Sequence, residues 1–169
     1  MDETTASLEA PLRACWMKIN TQKRIPAHTG QRSLHHLFGA YNWAQDHISW
    51  LAAERKNSES FIAFLEHLFL ECYPTEKIIL VMDNVSYHRS AASQAALSLF
   101  EDRVLVFWLP PYCADLNPIE RYWRHLKDLA CANRLHAGLE NLVAAMEKIL
   151  SAQNEPFNLL RFQLSKNFR

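Results

Sequence analysis

The chain has 169 residues, of which 49% are hydrophobic and 21% charged, and its 18 basic side chains equal its 18 acidic ones in number. This composition is typical of one globular domain and excludes a disordered chain. With only three glycines, the sequence also excludes a glycine-rich phosphate-binding loop. A formal net charge of zero gives no general attraction to nucleic acid, so DNA binding requires a local cationic patch or a basic segment outside this chain.

The sequence carries no targeting signal and no metal-binding cysteine pattern. Its first residues, MDETTASLEAP, include neither a basic nor an apolar segment, and no apolar run reaches the roughly 18 residues of a membrane span. We therefore predict a cytoplasmic protein with no membrane partner. The four cysteines match no zinc spacing, and we expect buried, reduced thiols; they are Cys15, Cys72, Cys113 and Cys131.

The first half of the chain predicts three strands followed by a helix. Residues 13–20 alternate loosely between apolar and polar and predict a strand. Residues 33–43 and 47–53 predict two more, with Gly39 as a bulge or a point of close approach. The helix that follows has Ser58 as its expected N-cap and ends at Tyr73-Pro74.

The second half predicts two buried strands and three helices. Residues 77–83, KIILVMD, form a short apolar run that is typical of a buried central strand. Residues 90–100 are rich in alanine and predict a helix, and residues 103–109 predict a second buried strand. Two more helices are predicted over residues 118–131 and 138–153. The sequence thus predicts a mixed α/β domain over residues 1–155 and a C-terminal tail over residues 156–169.

The strand over residues 77–83 ends on a carboxylate, Asp83, within the sequence DNVSYH. Open α/β sheets bind ligands at the carboxyl ends of their strands, which makes Asp83 a candidate site residue. Aspartate also shapes turns frequently, and this residue alone supports both interpretations equally.

A second motif, LNPIERYW, joins a loop to the start of a helix. Asn117 is a favourable N-cap, Pro118 suits the first helical position and Glu120 falls at the third. This pattern is close to a capping box, in which Glu120 bonds back to the backbone of Asn117, and for the motif alone that is the better interpretation. The alternative is that Glu120 points from the first helical turn toward the rim of the sheet.

Together the motifs form a specific arrangement: DNVSYH after one strand, LPPY after the next, and NPIERYW at the following helix. The arrangement resembles the mariner-like DDE transposase superfamily, in its bacterial insertion-sequence branch, over about residues 2–150. The resemblance implies an RNase H-like fold, with a mixed five-stranded sheet flanked by helices. It also implies that Asp83 and Glu120 are the second and third members of a catalytic, metal-binding carboxylate triad.

In that family the first triad member is expected in an Asp-Glu pair at the end of the first strand, and the sequence offers Asp2-Glu3. The resemblance therefore makes Asp2 the first catalytic and metal-binding residue. No apolar run precedes the pair, so we expect the first strand to be truncated. The helix-turn-helix DNA-binding region that such transposases carry upstream is also not in this sequence.

The implied function is divalent-metal-dependent DNA cleavage and strand transfer at insertion-sequence ends. The implied cofactor is Mg²⁺ or Mn²⁺, as two ions, and the implied partners are transposon-end and target DNA with at least a second copy of the chain. His88, Asn84, Arg124 and Lys127 are further candidates for contact with DNA or for positioning the carboxylates. The alternatives are a structural histidine for His88, a turn residue for Asn84, and a solvated helix face for Arg124 and Lys127.

Three other functions stay open from the sequence. An RNase H-like nuclease would share the carboxylates and show no strand transfer. An inactive remnant or split-gene half of a transposase would have no activity of its own. A small metal- or nucleotide-binding α/β module is consistent with the fold class alone.

Overall fold

A computed structural model describes residues 1–9, 11–22, 24–25, 33–111, 113 and 116–155. Within these ranges the chain forms five strands and four α-helices, the first of which continues into a π-helical segment, His67–Cys72. The predicted tail, residues 156–169, lies outside the described residues. The elements are β1 (Asp2–Ser7), β2 (Leu34–Asn42), β3 (His47–Ala53), α1 (Ser58–Glu66), β4 (Ile78–Met82), α2 (Ala91–Ser98), β5 (Val104–Trp108), α3 (Ile119–Ala130) and α4 (Leu139–Asn154).

The strands form an antiparallel set of three and a parallel set of two. β2 lies between β1 and β3, with Asp2 opposite Gly39, and β4 pairs with β5. β1 approaches β4 where the Met1 amino group donates a hydrogen bond to the Val81 carbonyl. The mixed α/β class is confirmed, whereas this pairing does not confirm one continuous five-stranded sheet.

Two hydrophobic cores lie on opposite faces of β2, because successive strand residues point to opposite sides. Leu37 packs in a core with α3 and α4, while Phe38 packs in a second core with α1, α2, β4 and β5. Both side chains are fully buried. β2 is therefore buried on both faces at this point.

The prediction of β4 as a strand buried on both faces is wrong for one face. Leu80 and Met82 are buried, but Ile79 is 70% exposed and its partner Leu105 is 65% exposed. The reason is that α3 and α4 pack over β1, β2 and β3. An apolar run does not reveal whether a helix covers the second face.

The first strand is the main correction to the predicted elements. Residues 13–20 form no strand, and Cys15 among them is exposed rather than buried. A strand that the sequence did not predict, β1, begins at the Asp2-Glu3 pair, which therefore opens a strand instead of ending one. Thr4, Ala6 and Leu8 alternate into the core, which allows a polar sequence, DETTAS, to form a strand without an apolar run.

Two helix starts also differ from the prediction. Asn57, not Ser58, caps α1, because its side chain accepts a hydrogen bond from the Ser60 backbone N–H at 2.9 Å. Asn117 does not cap α3: Pro118 occupies that position without a side-chain hydrogen bond. The predicted strands over residues 33–43 and 47–53 are confirmed as β2 and β3. No helix in the described part of the chain is long and apolar enough to cross a membrane.

Gly39 is a point of close approach, as predicted, because α3 crosses β2 there. A Cβ atom at this position would lie 2.5 Å from Cη2 of Trp123. We expect Gly39→Ala to lower the free energy of unfolding by about 1–3 kcal/mol, since the buried indole must shift. Thermal or urea unfolding measures this loss.

Trp123→Phe supplies the control, because it removes the two indole carbons that the new methyl group would meet. The double variant should be less destabilised than the sum of the two single variants. Additive losses would contradict the steric explanation.

Candidate active site

Asp83 follows directly after β4 and begins a tight loop that leads to α2. Its Oδ1 accepts a hydrogen bond from the Val85 backbone N–H at 3.3 Å and a second from His88 Nδ1 at 3.0 Å. The side chain remains 47% exposed. Asp83 therefore shapes the turn and also faces the surface at the end of β4. Its role as a site residue stays a prediction.

Glu120 lies in the first turn of α3, and no side chain caps that helix. The capping-box interpretation is therefore wrong. The side chain of Asn117 instead donates a hydrogen bond to the Met1 carbonyl at 3.0 Å, which ties the start of α3 to the start of β1. Ile119, Trp123 and Leu126 are buried against the sheet, as predicted, and Glu120 lies on the neighbouring face.

Asp83 and Glu120 share one cleft, of about 310 Å³, at the carboxyl ends of β4 and β5. The position agrees with the rule that such sheets bind ligands at this edge. The structure thus brings together the two carboxylates that lie far apart in the sequence. The described lining residues are Asp83, Asn84, Val85, Leu109, Pro110, Pro111, Cys113, Asn117 and Glu120.

Asp2 points to the face of β1 on which α3 lies. Burial, together with the negative charges of Glu3 and Glu120, raises the pKa of Asp2 to about 7. The influence of Glu120 indicates that Asp2 lies near the third candidate carboxylate, although it is not part of the cleft wall. Lys127, on the same helix as Glu120, is close enough for its own pKa to respond to Asp2, although burial lowers that pKa overall.

Glu3 and His88 form a buried link that the sequence did not predict. His88 is fully buried, and its Nε2–H donates to Glu3 Oε1 at 2.7 Å while its Nδ1–H donates to Asp83. Burial alone lowers the pKa of His88, but the hydrogen bonds to Asp83 and Glu3 outweigh it and raise the pKa to about 9. The same bond to His88 is the main reason that the pKa of Asp83 is lowered. The sequence feature that could have predicted this link is strand alternation, because it places Glu3 on the face of β1 opposite Asp2.

The remaining candidates occupy different environments. Asn84 lines the cleft, and its side chain donates a hydrogen bond to the Leu109 carbonyl. Arg89 Nε donates a hydrogen bond to Asn84 Oδ1 at 2.8 Å. Asn84 therefore joins the loop after β4 to the end of β5. Arg124 is exposed on α3, and Lys127 is partly buried one turn further along.

The carboxylates suit a hard divalent cation by their chemistry. Asp83 and Glu120 line one cleft, and the pKa of Asp2 is raised first by burial and then by the negative charges of Glu3 and Glu120, a cost that a bound cation would relieve. Within the described residues, however, no three His, Cys, Asp or Glu side chains converge closely enough to hold one metal ion. The donor types alone fit such an ion.

Comparison with known proteins identifies the family. Residues 1–143 match the family described as DDE superfamily endonuclease. The chain belongs to this family. The resemblance to mariner-like DDE transposases is therefore confirmed.

Known proteins are similar to this chain in sequence and in fold. This DDE domain is 29% identical over 132 residues to the insertion element IS630 uncharacterized 39 kDa protein of Shigella sonnei, covering 78% of the chain and 38% of that protein. It also has the fold of the Mos1 transposase in a paired-end complex with the left transposon end, with a TM-score of 0.69 and 16% identity over 89% of the chain and 46% of Mos1. A Mos1 mariner paired-end complex with Mn gives a TM-score of 0.61 and 17% identity over 89% of the chain and 47% of that chain. The DDE domain spans less than half the length of each of these relatives.

We expect Asp2→Asn to stabilise the metal-free DDE domain at pH 8 and to leave its stability unchanged near pH 4. The folded-state pKa of Asp2, about 7, lies above the ordinary aspartate value of about 4, so ionisation costs stability as the pH rises between them. The variant avoids this cost, which is on the order of 1–2 kcal/mol for a partly exposed group. Thermal unfolding in EDTA at both pH values measures it.

Asp102→Asn is the matched control, since Asp102 is exposed in the turn before β5. It should change the melting temperature little at either pH. A fall in stability of Asp2→Asn at pH 8 would show that the Asp2 carboxylate stabilises the fold, and would contradict the raised pKa of that group.

Proposed function

We propose that this domain is the catalytic part of an insertion-sequence transposase that cleaves DNA at the element's ends and joins the freed ends to target DNA. The supporting observation is the shared cleft of Asp83 and Glu120 in a chain of the DDE endonuclease family. Each carboxylate alone has a structural explanation. Their convergence from two distant motifs favours a catalytic role for both.

The proposed fold of the working domain is RNase H-like, with β1 to β5 as one mixed sheet. The hydrogen bond from Met1 to Val81 supports it, because it places the edge of β1 against the edge of β4. The proposed domain covers residues 1–155. A further part of the protein, by analogy with relatives of which the chain covers 38% and 46%, would supply the surface that recognises transposon ends.

We propose Asp2, Asp83 and Glu120 as the catalytic residues and the ligands of two Mg²⁺ or Mn²⁺ ions. Asp83 and Glu120 line the cleft, from the loop after β4 and from α3, and Asp2 on β1 is close enough to Glu120 for their charges to interact. The bound ions would supply activation of the attacking oxygen and stabilisation of the leaving oxygen. A solved Mos1 complex contains Mn, which is consistent with this proposal.

The proposed reaction has two phosphoryl-transfer steps. In the first, a water oxygen bonds to phosphorus and the bond to the 3′ oxygen breaks, which leaves a 3′-hydroxyl at the transposon end and a 5′-phosphate on the other fragment. In the second, the oxygen of that 3′-hydroxyl bonds to a phosphorus of target DNA, and the bond from that phosphorus to the target's own 3′ oxygen breaks, which joins the two DNAs and releases a 3′-hydroxyl on the target. The carboxylates hold the reacting groups in line, and no covalent bond to the protein forms.

The proposed partners are DNA and a second copy of the chain. Arg124 is exposed one helical turn beyond Glu120, which places a guanidinium within reach of phosphates that enter the cleft. Lys127 lies further along α3, where the negative charge of Asp2 acts on its pKa. The Mos1 paired-end complex, solved with a transposon end, supports the proposal of DNA binding and of assembly on paired ends.

Asp83→Asn and Glu120→Gln should each lower the rate of Mg²⁺-dependent end cleavage by about 10³-fold, because each removes a charged oxygen from the cleft. The assay uses the full-length protein and a duplex that carries the ends of the element encoding it. Denaturing gels of the labelled strand measure the product.

Glu140→Gln is the matched control, since Glu140 occupies the first turn of α4 as Glu120 does that of α3 and is exposed. It should cleave at the parent rate. Full activity of the Asp83 or Glu120 variant would refute the proposed site. A pre-cleaved end with a free 3′-hydroxyl separates transposase from nuclease, because only a transposase joins it to a second duplex.

A further inference from the structure

Glu3 is the acidic residue that the proposed reaction leaves without a role, although its side chain is only 5% exposed. Its Oε1 accepts from His88 Nε2–H at 2.7 Å, and its Oε2 accepts from the Tyr87 hydroxyl at 2.7 Å. Both oxygens are therefore engaged on the face of β1 opposite Asp2. Glu3 is not placed to bind a cation in the cleft, but it is placed to hold His88.

The ring of His88 has little freedom to move. It is fully buried, and its centroid lies 4.3 Å from that of Phe61 and 4.8 Å from that of Tyr87. The backbone around it is fixed as well, because Gln94 Nε2–H donates to the His88 carbonyl at 2.9 Å and Ser93 Oγ–H to the Tyr87 carbonyl at 2.6 Å. The imidazole is thus a rigid connection between the carboxylates at its two nitrogens.

The hydrogen bonds of Asp83 are unevenly divided between its two oxygens. Oδ1 accepts from His88 Nδ1–H at 3.0 Å and from the Val85 N–H at 3.3 Å. No described residue donates a hydrogen bond to Oδ2. Because Asp83 lines the cleft, the oxygen without a donor is the one available to a ligand there.

We propose that Glu3 is a positioning residue that acts through His88: it fixes the imidazole, which holds Asp83 by Oδ1 and presents Oδ2 to the cleft. This inference rests on the proposed function, because it gives Glu3 a part in that reaction. The chain Glu3–His88–Asp83 also connects β1 to β4. The geometry of the cleft therefore depends on a residue that does not touch the substrate.

The test compares Glu3→Ala and Glu3→Gln with the parent in the full-length protein. Glu3→Ala should lower both the cleavage rate at saturating DNA and the affinity for Mn²⁺ by about 10- to 100-fold, as losses of such supporting contacts do. The DNA concentration for half-maximal rate should not change. Glu3→Gln should lose less, because its amide oxygen still accepts a hydrogen bond from His88. Calorimetric titration with Mn²⁺ alone gives the affinity without catalysis.

Glu71→Ala is the matched control. Glu71 also accepts a hydrogen bond from a histidine, His67 Nδ1–H at 2.9 Å, but its side chain is 72% exposed and lies outside the cleft lining. It should retain the parent rate and Mn²⁺ affinity. If Glu3→Ala does not fold, as judged by its melting curve, Glu3→Gln decides, and it should still bind Mn²⁺ several-fold more weakly than the parent.

Parent-like rate and Mn²⁺ affinity in folded Glu3 variants would overturn the role of Glu3 and leave the proposed function intact. A parent that does not cleave the end duplex would contradict the proposed function instead. The connection is then judged by ¹⁵N NMR of histidine-labelled protein. Loss of the slowly exchanging His88 Nδ1 proton in Glu3→Ala supports the connection, and persistence of that proton overturns it. Glu3→Gln is used for the same comparison if Glu3→Ala does not fold.

Discussion

The buried imidazole of His88, held between Glu3 and Asp83, is the contact on which the arrangement of the carboxylates depends. β1 belongs to the antiparallel set of three strands and β4 to the parallel set of two. A hydrogen bond from the Met1 amino group to the Val81 carbonyl connects the two strands. The side-chain connection adds a second tie at the same junction. Because an uncompensated buried charge is costly, the buried Glu3 and His88 side chains stabilise each other, and the half-exposed Asp83 gives the imidazole a second acceptor.

A steric constraint acts on the other side of the cleft. The indole of Trp123 lies against Gly39, where any Cβ would overlap it, so α3 approaches β2 more closely than a larger residue would permit. Asn117 fixes the start of the same helix by its hydrogen bond to Met1. Together these contacts set the position of Glu120 relative to β1. The negative charges of Glu120 and Asp2 thereby interact, which contributes to the raised pKa of Asp2.

The sequence predicted most helices and strands because their apolar periodicity is local. β2, β3, α3 and α4 appeared within a few residues of their predicted positions. β1 was missed because DETTAS has the alternation of a strand without its usual apolar content, and only pairing with β2 makes it one. The prediction that β4 is buried on both faces was wrong for a related reason. Ile79 is exposed because no helix in the described structure covers that face. The local sequence pattern of a strand does not show which other elements pack against its two faces.

For the site, the sequence by itself supplied the candidates: two motifs, DNVSYH and NPIERYW, pointed to Asp83 and Glu120 and to the family to which the chain belongs. It did not decide between a capping glutamate and one that faces a cleft, because both place Glu120 in the first turn of α3. The tertiary structure decided that question by using Asn117 to bind β1. It also gave Glu3 a partner 85 positions away in the chain, since only folding brings β1 beside the loop after β4.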